Sequence, residues 1–408
     1  MAADSMKVFD RPCVRKFILD ALNPDAALPD IGAMQEADWA CLLQSAQTHR
    51  LGPMLHDRLG HFVSIPIEVR DRLQAMHRKS VLRNLNIYRE LVTVTRKLEA
   101  EQIPSIALKG AFLARFAYSD PGLRPMRDLD LLVTVDQAVK AFECLKACGY
   151  RPMSEGLPEA YLSDYHHLPG LISPDGINIE LHHRLSAPGG HSPDFGEDIW
   201  ARSISKMIGG TEVGFLCPED LLLHLCTHAA IDHRLDLGPL ALVDVAFLVE
   251  THRIDWRDFA SRAQGKRCAF ALLCLAKLHL GAKIPDEIIE AGPESDAAWL
   301  ESAEYLLFFG RISQNLMGNT MQRILYPGNF MESLRIPFDI VFPPRSAISL
   351  HFPVRADSPQ AFLYYPLNWL RLFAEKLPFL LKALSDRKRA RKWALHRKTF
   401  SDWIREKD

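Results

Sequence analysis

The chain has 408 residues, 48% of them hydrophobic and 24% charged, a composition that excludes a wholly disordered chain and, at this length, implies two or three packed units. Lys plus Arg total 49 and Asp plus Glu total 50, for a net charge of −1, so bulk charge decides nothing about nucleic acid and any such role must rest on a local patch. Eight cysteines are too sparse for a secreted disulfide scaffold, Met1–Arg15 lacks the apolar segment of a signal peptide, and no uncharged apolar run is long enough to span a bilayer, so a reducing, cytoplasmic setting is expected.

Taken in order, apolar residues recur at helical spacing from Asp38 to Leu59 and again from Ile67 to Leu98. The second stretch has no internal Pro or Gly and reads as one long helix or two joined end to end. At Pro104 the texture changes. Ser105–Leu108 reads as a strand, Lys109-Gly110 as a turn, and Ala111–Tyr118 as a helix. Asp120-Pro121-Gly122 marks a loop, and Asp128–Val133 alternates acid and apolar residues as a strand does. A helix from Gln137 to Cys148 follows, with Gly149 as its cap. Leu168–Ile172 and Ile177–Leu181 flank Pro174-Asp175-Gly176 and read as a hairpin, with one more strand at Val213–Leu216.

After Pro218 the pattern turns helical again. Pro218-Glu219-Asp220 opens a helix with acids at its positive end, and further helices are expected over Asp236–Glu250, Trp256–Gln264, Cys268–Leu280, Ala297–Phe309 and Ala361–Leu384. Met317–Pro353 has no clear assignment. The expected organisation is an α+β (or α/β) fold: a helical region over 1–100, a small mixed sheet with helices over 101–217, a helical domain over 218–385 and a basic tail over 386–408.

Asp128 and Asp130 carry the chemistry of this chain. Residues two apart on a strand project to one face, so the two carboxylates share a side and repel unless a cation lies between them. A hard divalent ion, Mg²⁺ or Mn²⁺, takes oxygen ligands and is readily shared with phosphates. Gly110 opens the preceding helix, where free backbone N–H groups suit a phosphate, and Lys109 adds a charge there. A third acid is expected on a nearby strand. Glu180, in Asn178-Ile179-Glu180-Leu181-His182, is placed to be a metal ligand or a general base for an incoming hydroxyl.

These segments, Ala107-Leu108-Lys109-Gly110-Ala111 followed by Arg124 and Asp128-Leu129-Asp130-Leu131-Leu132-Val133, resemble the nucleotidyltransferase superfamily related to DNA polymerase beta. Within it the chain is most similar to bacterial uncharacterised nucleotidyltransferases, which share the Leu-Lys-Gly element, the downstream Arg, an acid–apolar–His element matched by Glu180-Leu181-His182, and a helix like Glu219–Ala229 followed by an Asp as at Asp244. The resemblance covers roughly Pro104–Glu250. It implies Asp128, Asp130 and Glu180 as metal ligands and catalytic acids, Gly110 as the phosphate-loop glycine, and Lys109 and Arg124 facing a triphosphate. It also implies an NTP·Mg²⁺ substrate and transfer of a nucleoside monophosphate to a hydroxyl, with a peptide or sugar as acceptor. Two departures stand out: Ala111 replaces the usual Gly or Ser, and Glu180 the commoner Asp. They support the alternative of an impaired binding module for a nucleotide or peptide. A toxin-like enzyme acting on tRNA or protein is a further alternative.

His182, His228 and Asp244 are cleft candidates. His224 and His228 have the i, i+4 spacing of a zinc pair, but no Glu lies between them and Cys226 falls on another face, so a structural or substrate-side role is expected. At 361–398, an aromatic, apolar stretch runs into Arg387-Lys388-Arg389-Ala390-Arg391-Lys392. That pattern fits a core-packed helix with a solvated tail, a peripheral membrane contact, or, less well, nucleic acid.

Overall fold

The computed structural model describes residues 11–23, 26–27, 30–186, 193, 195–196, 198–290, 298–309, 335, 338–385 and 387–405. Among the described residues the first helices are α1 (Pro12–Leu22), α2 (Glu36–Thr48), α3 (Gly52–Leu59) and α4 (Ile67–Ala100). The single periodic stretch expected over Asp38–Leu59 is two helices. Arg50, at φ 61°, sits in the left-handed region, and that conformation cannot continue an α-helix. The stretch from Ile67 is one uninterrupted helix of 34 residues.

A seven-stranded mixed sheet follows, with strands β1 (Ile106–Ala107), β2 (Asp128–Leu132), β3 (Arg151–Pro152), β4 (Leu171–Ile172), β5 (Asn178–His182), β6 (Ile204–Ile208) and β7 (Thr211–Phe215) in the order β3-β4-β5-β2-β1-β7-β6. Helices α5 (Gly110–Phe116) and α6 (Ala138–Ala147) connect the early strands, and a short helix α7 (Ile199–Arg202) precedes β6. The β4–β5 pairing is the antiparallel hairpin expected around Pro174-Asp175-Gly176. Strand β6 was not anticipated. It pairs antiparallel with β7 across Gly209-Gly210, both at positive φ (54° and 77°), which is the backbone a two-residue hairpin turn needs. That Gly-Gly pair was its sequence signal.

Pro218 starts helix α8 (Pro218–Thr227), which runs into a π-turn over His228–Asp232, and then come α9 (Leu240–Thr251), α10 (Trp256–Ala263) and α11 (Arg267–Leu280). The helix expected at Ala297–Phe309 is present over 298–309. Of Met317–Pro353, the part through 334 lies outside the described residues; Arg345–Ser349 is a short helix. No helix among the described residues is long and apolar enough to cross a membrane.

The segment read as a basic tail is instead a helix, Arg387–Arg405. Trp393, Ala394, Arg397 and Phe400 are buried on one side of it, because apolar residues recur among the basic ones at helical spacing. Arg397 pairs with buried Asp236 at 3.1 Å, and Trp403 stacks on Trp299 with ring centroids 4.3 Å apart. One buried apolar cluster draws residues from Val14 through Trp403, and the sheet's carboxylate-bearing strand ends open into a cleft against α8–α9.

Candidate active site

Strand β2 runs parallel to β5 in a register that sets Asp128 opposite Asn178, Asp130 opposite Glu180 and Leu132 opposite His182. Leu129 and Leu131 are buried on the other face, so the alternation that makes β2 a strand also turns both aspartates into the cleft. The parallel pairing brings Glu180 beside Asp130 across some fifty residues of chain.

Helix α4 positions the start of β2. Buried Asn84 donates to the carbonyls of Pro121 (2.6 Å) and Arg124 (2.8 Å) and accepts from the Met126 N–H (3.0 Å). Arg83 donates to the Met126 carbonyl at 3.0 Å and to that of Arg127. Sequence reading missed this clamp, since a polar residue on a long helix carries no signal of what loop it holds.

Asp130 is 11% exposed. Burial alone would raise its carboxyl, but Lys109 and His182 outweigh that and hold it far below the usual range. Lys109 Nζ lies 3.2 Å from Asp130 Oδ2. His182 Nε2 lies 3.5 Å from Asp130 Oδ1 and 3.6 Å from Glu180 Oε2. The His182 contact also lowers Glu180. Asp128 opens to the solvent side of the cleft. Desolvation and then the charges of Asp130 and Glu180 push its carboxyl up, the signature of anions crowded without enough counter-charge.

His182 is 1% exposed; its Nδ1 has no hydrogen-bond partner, and its Nε2 meets only the two carboxylates at ion-pair distance. Such a group is costly unless something fills its valence. Ligand atoms of Asp130, Glu180 and His182 all lie within 4.8 Å of one another, and among the described residues they form the one such His/Cys/Asp/Glu group. The carboxylate oxygens suit a divalent cation such as Mg²⁺ or Mn²⁺; the carboxylates raise His182 in spite of its burial, so its nitrogen joins them as a ligand only on losing its proton. His224 and His228, whose ring centroids are 5.6 Å apart, belong to no such group.

Lys109 has φ 44° and ψ −105°, a strained backbone for a residue with a side chain. Its ammonium points at Asp130 and also donates to His228 Nε2 at 3.2 Å. An ammonium has no acceptor, so His228 is neutral with its proton on Nδ1, which donates to Asp232 Oδ2 at 3.0 Å. Burial and the Lys109 charge push His228 well down, in keeping with that tautomer. Burial pushes the Asp232 carboxyl up to about 6.

Gly110 is a glycine for reasons of space. A Cβ there would sit 2.5 Å from Arg124 Nη1 and 3.2 Å from Met126 Cγ. The helix it opens has only seven residues, so its dipole is a weak phosphate anchor. Arg124 lines the cleft, but its Nε and Nη2 both donate to Asp244 at 2.8 Å. Tyr118 donates to Asp244 Oδ1 at 2.7 Å and stacks on Phe247. Arg124 therefore presents Nη1, beside Gly110, rather than a whole guanidinium to any ligand. Asp244 is a buried anchor and not an open carboxylate.

These groups enclose a cavity of about 470 Å³. It brings together Lys109, Gly110, Arg124, Asp128, Asp130, Glu180, His228 and Asp244, with His182 buried behind the carboxylates. His166, His167, Asp232, His233, Asp236 and Arg50 also line it and were missed. The pairs His166-His167 and Asp232-His233 were the available signal. Burial comes first in lowering His166 and His233, so these rings are neutral hydrogen-bonding groups.

A solved structure, that of an antigenic nucleotidyltransferase-like protein from Paracoccidioides brasiliensis, is 16% identical and covers 52% of this chain and 94% of its own, with a TM-score of 0.26. At that score the likeness carries no weight. No curated protein matches. The family model described as "Uncharacterised nucleotidyltransferase" matches residues 35–280, which takes in α4, the whole sheet, both walls of the cleft and every residue of the carboxylate group, and the chain belongs to that family.

Proposed function

We propose that the protein is a divalent-metal-dependent nucleotidyltransferase that moves a nucleoside monophosphate from an NTP to the hydroxyl of a peptide, sugar or other acceptor. The acceptor oxygen attacks the α-phosphorus, the bond to the β-phosphate breaks, pyrophosphate leaves, and the hydroxyl proton passes to a carboxylate. The observation that carries this reading is the register pairing of Asp130 with Glu180 beside His182, in a cavity that Lys109 also lines.

Asp128, Asp130 and Glu180, with His182 behind them, would hold Mg²⁺ or Mn²⁺, which when bound would neutralise charge on the triphosphate. Lys109 and the Nη1 of Arg124 supply fixed positive charge on the same side, where charge builds on the departing pyrophosphate. Glu180, half-open to solvent, is placed to complete the cation site or to accept the hydroxyl proton. The neutral histidines offer hydrogen bonds to an acceptor without adding charge.

The second reading, a module that binds nucleotide or peptide without chemistry, draws on Ala111 and on Glu180 in place of the commoner Asp. Ala111 is buried and its carbonyl accepts from Tyr88, so no hydroxyl stands at the position that often touches phosphate in the superfamily. The test is the thermal midpoint with each NTP and Mg²⁺ or Mn²⁺, for the parent and for Asp128→Asn/Asp130→Asn, followed by a search for pyrophosphate release with the nucleotide that binds. A metal-dependent upward shift lost in the variant supports the site. Binding without pyrophosphate release across peptide and sugar acceptors favours the module, and no shift with any NTP refutes the nucleotidyltransferase reading and leaves a peptide as the module's ligand.

A further inference from the structure

A second surface, outside the cleft, has a chemistry of its own. The 3₁₀ turn Pro359–Tyr364 leads into the helix Tyr365–Ser385. Leu363 (74% exposed), Leu367, Leu370 (68%) and Phe373 (66%) point to solvent, spaced four, three and three residues apart, so they share one side. Phe362 and Trp369 are exposed with them.

The segment before this helix extends the patch. Trp369 Nε1 donates to the Val341 carbonyl at 2.5 Å and Tyr365 donates to that of Pro343 at 2.6 Å. The Phe342 ring lies 5.9 Å from Trp369 and 5.3 Å from Phe338. Phe338, Val341 and Phe342 are themselves exposed. The result is a continuous aromatic and aliphatic surface held rigid by its own hydrogen bonds. Scattered exposed leucines need no explanation, but a contiguous patch of this kind does.

One residue beyond the helix, the helix Arg387–Arg405 begins with Arg387, Lys388, Arg391 and Lys392 exposed. Its buried side, at Trp393 and Arg397, anchors it to the core, so this positive charge is fixed next to the end of the apolar helix. Apolar side chains, ring systems with a polar edge and adjacent cations together match a bilayer surface with anionic headgroups. A protein partner would match the apolar part but would not account for the basic cluster. No described helix is long and apolar enough to cross a membrane, so the contact is interfacial.

We infer that the face formed by 338–342, 362–373 and the exposed Arg387 and Lys388 docks on anionic membrane surfaces. It does so independently of the chemistry in the cleft. Aromatic rings sit at headgroup level, Leu363, Leu367, Leu370 and Phe373 enter the acyl boundary, and the basic residues pair with phosphate headgroups.

The test is co-sedimentation of the full chain with phosphatidylcholine vesicles and with vesicles that also contain phosphatidylglycerol, at low and high salt. Binding to the anionic vesicles, weakened by salt and weaker still on phosphatidylcholine alone, is expected. Arg387→Gln/Lys388→Gln should weaken binding about fivefold for each charge removed. Leu370→Gln/Phe373→Gln should weaken it at least about tenfold with an unchanged thermal midpoint, since both side chains are exposed. Should the apolar variant fail to fold, the salt dependence and the basic variant still decide. No binding to anionic vesicles overturns the inference. So does a concentration-dependent dimer that the apolar substitutions dissolve while lipid binding is absent, or a salt-sensitive affinity for RNA that exceeds that for vesicles.

Discussion

The two walls of the cleft use the same kinds of residue and are in opposite electrostatic states. On the helical wall, Asp244 is saturated: two Arg124 nitrogens and the Tyr118 hydroxyl reach it at 2.7–2.8 Å. On the sheet wall, Asp128, Asp130 and Glu180 face one another with one lysine and one histidine between them, and the Nδ1 of His182 has no hydrogen-bond partner. The first arrangement is complete as it stands. The second sets three carboxylates against one lysine and one histidine, an excess of negative charge that a bound cation would balance. A saturated buried network supports the fold, while an unsatisfied cluster in an accessible cleft marks where a ligand belongs.

That contrast predicts a division of labour. Arg124→Ala should cost the most stability, about 3–5 kcal/mol, because it strands a buried Asp244 charge; urea unfolding measures it, and a loss under about 1 kcal/mol would contradict the saturated-wall picture. On the sheet wall the effect should reverse. Asp128 has a raised carboxyl, so the stability it contributes is present at low pH, where it is protonated, and lost as pH rises through its elevated folded value. Metal-free Asp128→Asn should therefore be at least as stable as the parent at neutral pH. The same variant should lose the metal–nucleotide stabilisation, about 2.7 kcal/mol at a hundredfold excess over Kd, read by thermal shift.

Gly110→Ala tests where the walls meet. The added methyl would sit 2.5 Å from Arg124 Nη1, and Arg124 is held by Asp244, so about 1–3 kcal/mol of overpacking is expected. If Ala is tolerated without cost, Arg124 is not locked as described. A last test concerns Asp236 on the cleft lining, whose carboxyl burial pushes up to about 7 in spite of Arg397. Its contribution is present below the ordinary carboxylate range and is lost as pH rises from about 4 toward about 7. Unfolding midpoints of Asp236→Asn should fall less than the parent's across that window, and parallel profiles would contradict the assignment.

The same physics separates what the chain sequence made legible from what it hid. Period-two alternation revealed β2 and turned Asp128 and Asp130 to one side. Proline and glycine punctuation revealed the β4–β5 hairpin and the start of α8. The long helix from Ile67 followed from unbroken helical periodicity. Strand β6 went unread because Lys206 and Met207, both exposed, blur its alternation. The helix Arg387–Arg405 passed for a tail because charge density masked the spacing of Trp393, Arg397 and Phe400.

Residue identity and local spacing by themselves determined the mixed helical and sheet architecture and the pair of aspartates, because these depend on patterns close along the chain; the family followed from the likeness of those motifs to known proteins. Only the tertiary structure decided which groups meet. The parallel β2–β5 register delivers Glu180 and His182 to Asp130, the π-turn delivers His228 and Asp232 to Lys109, and α9 delivers Asp244 to Arg124. Each of these pairings spans some fifty residues or more, and no local pattern encodes a partner at that distance. The burial that sets the charge state of the site arises only when the sheet and the helices close on each other.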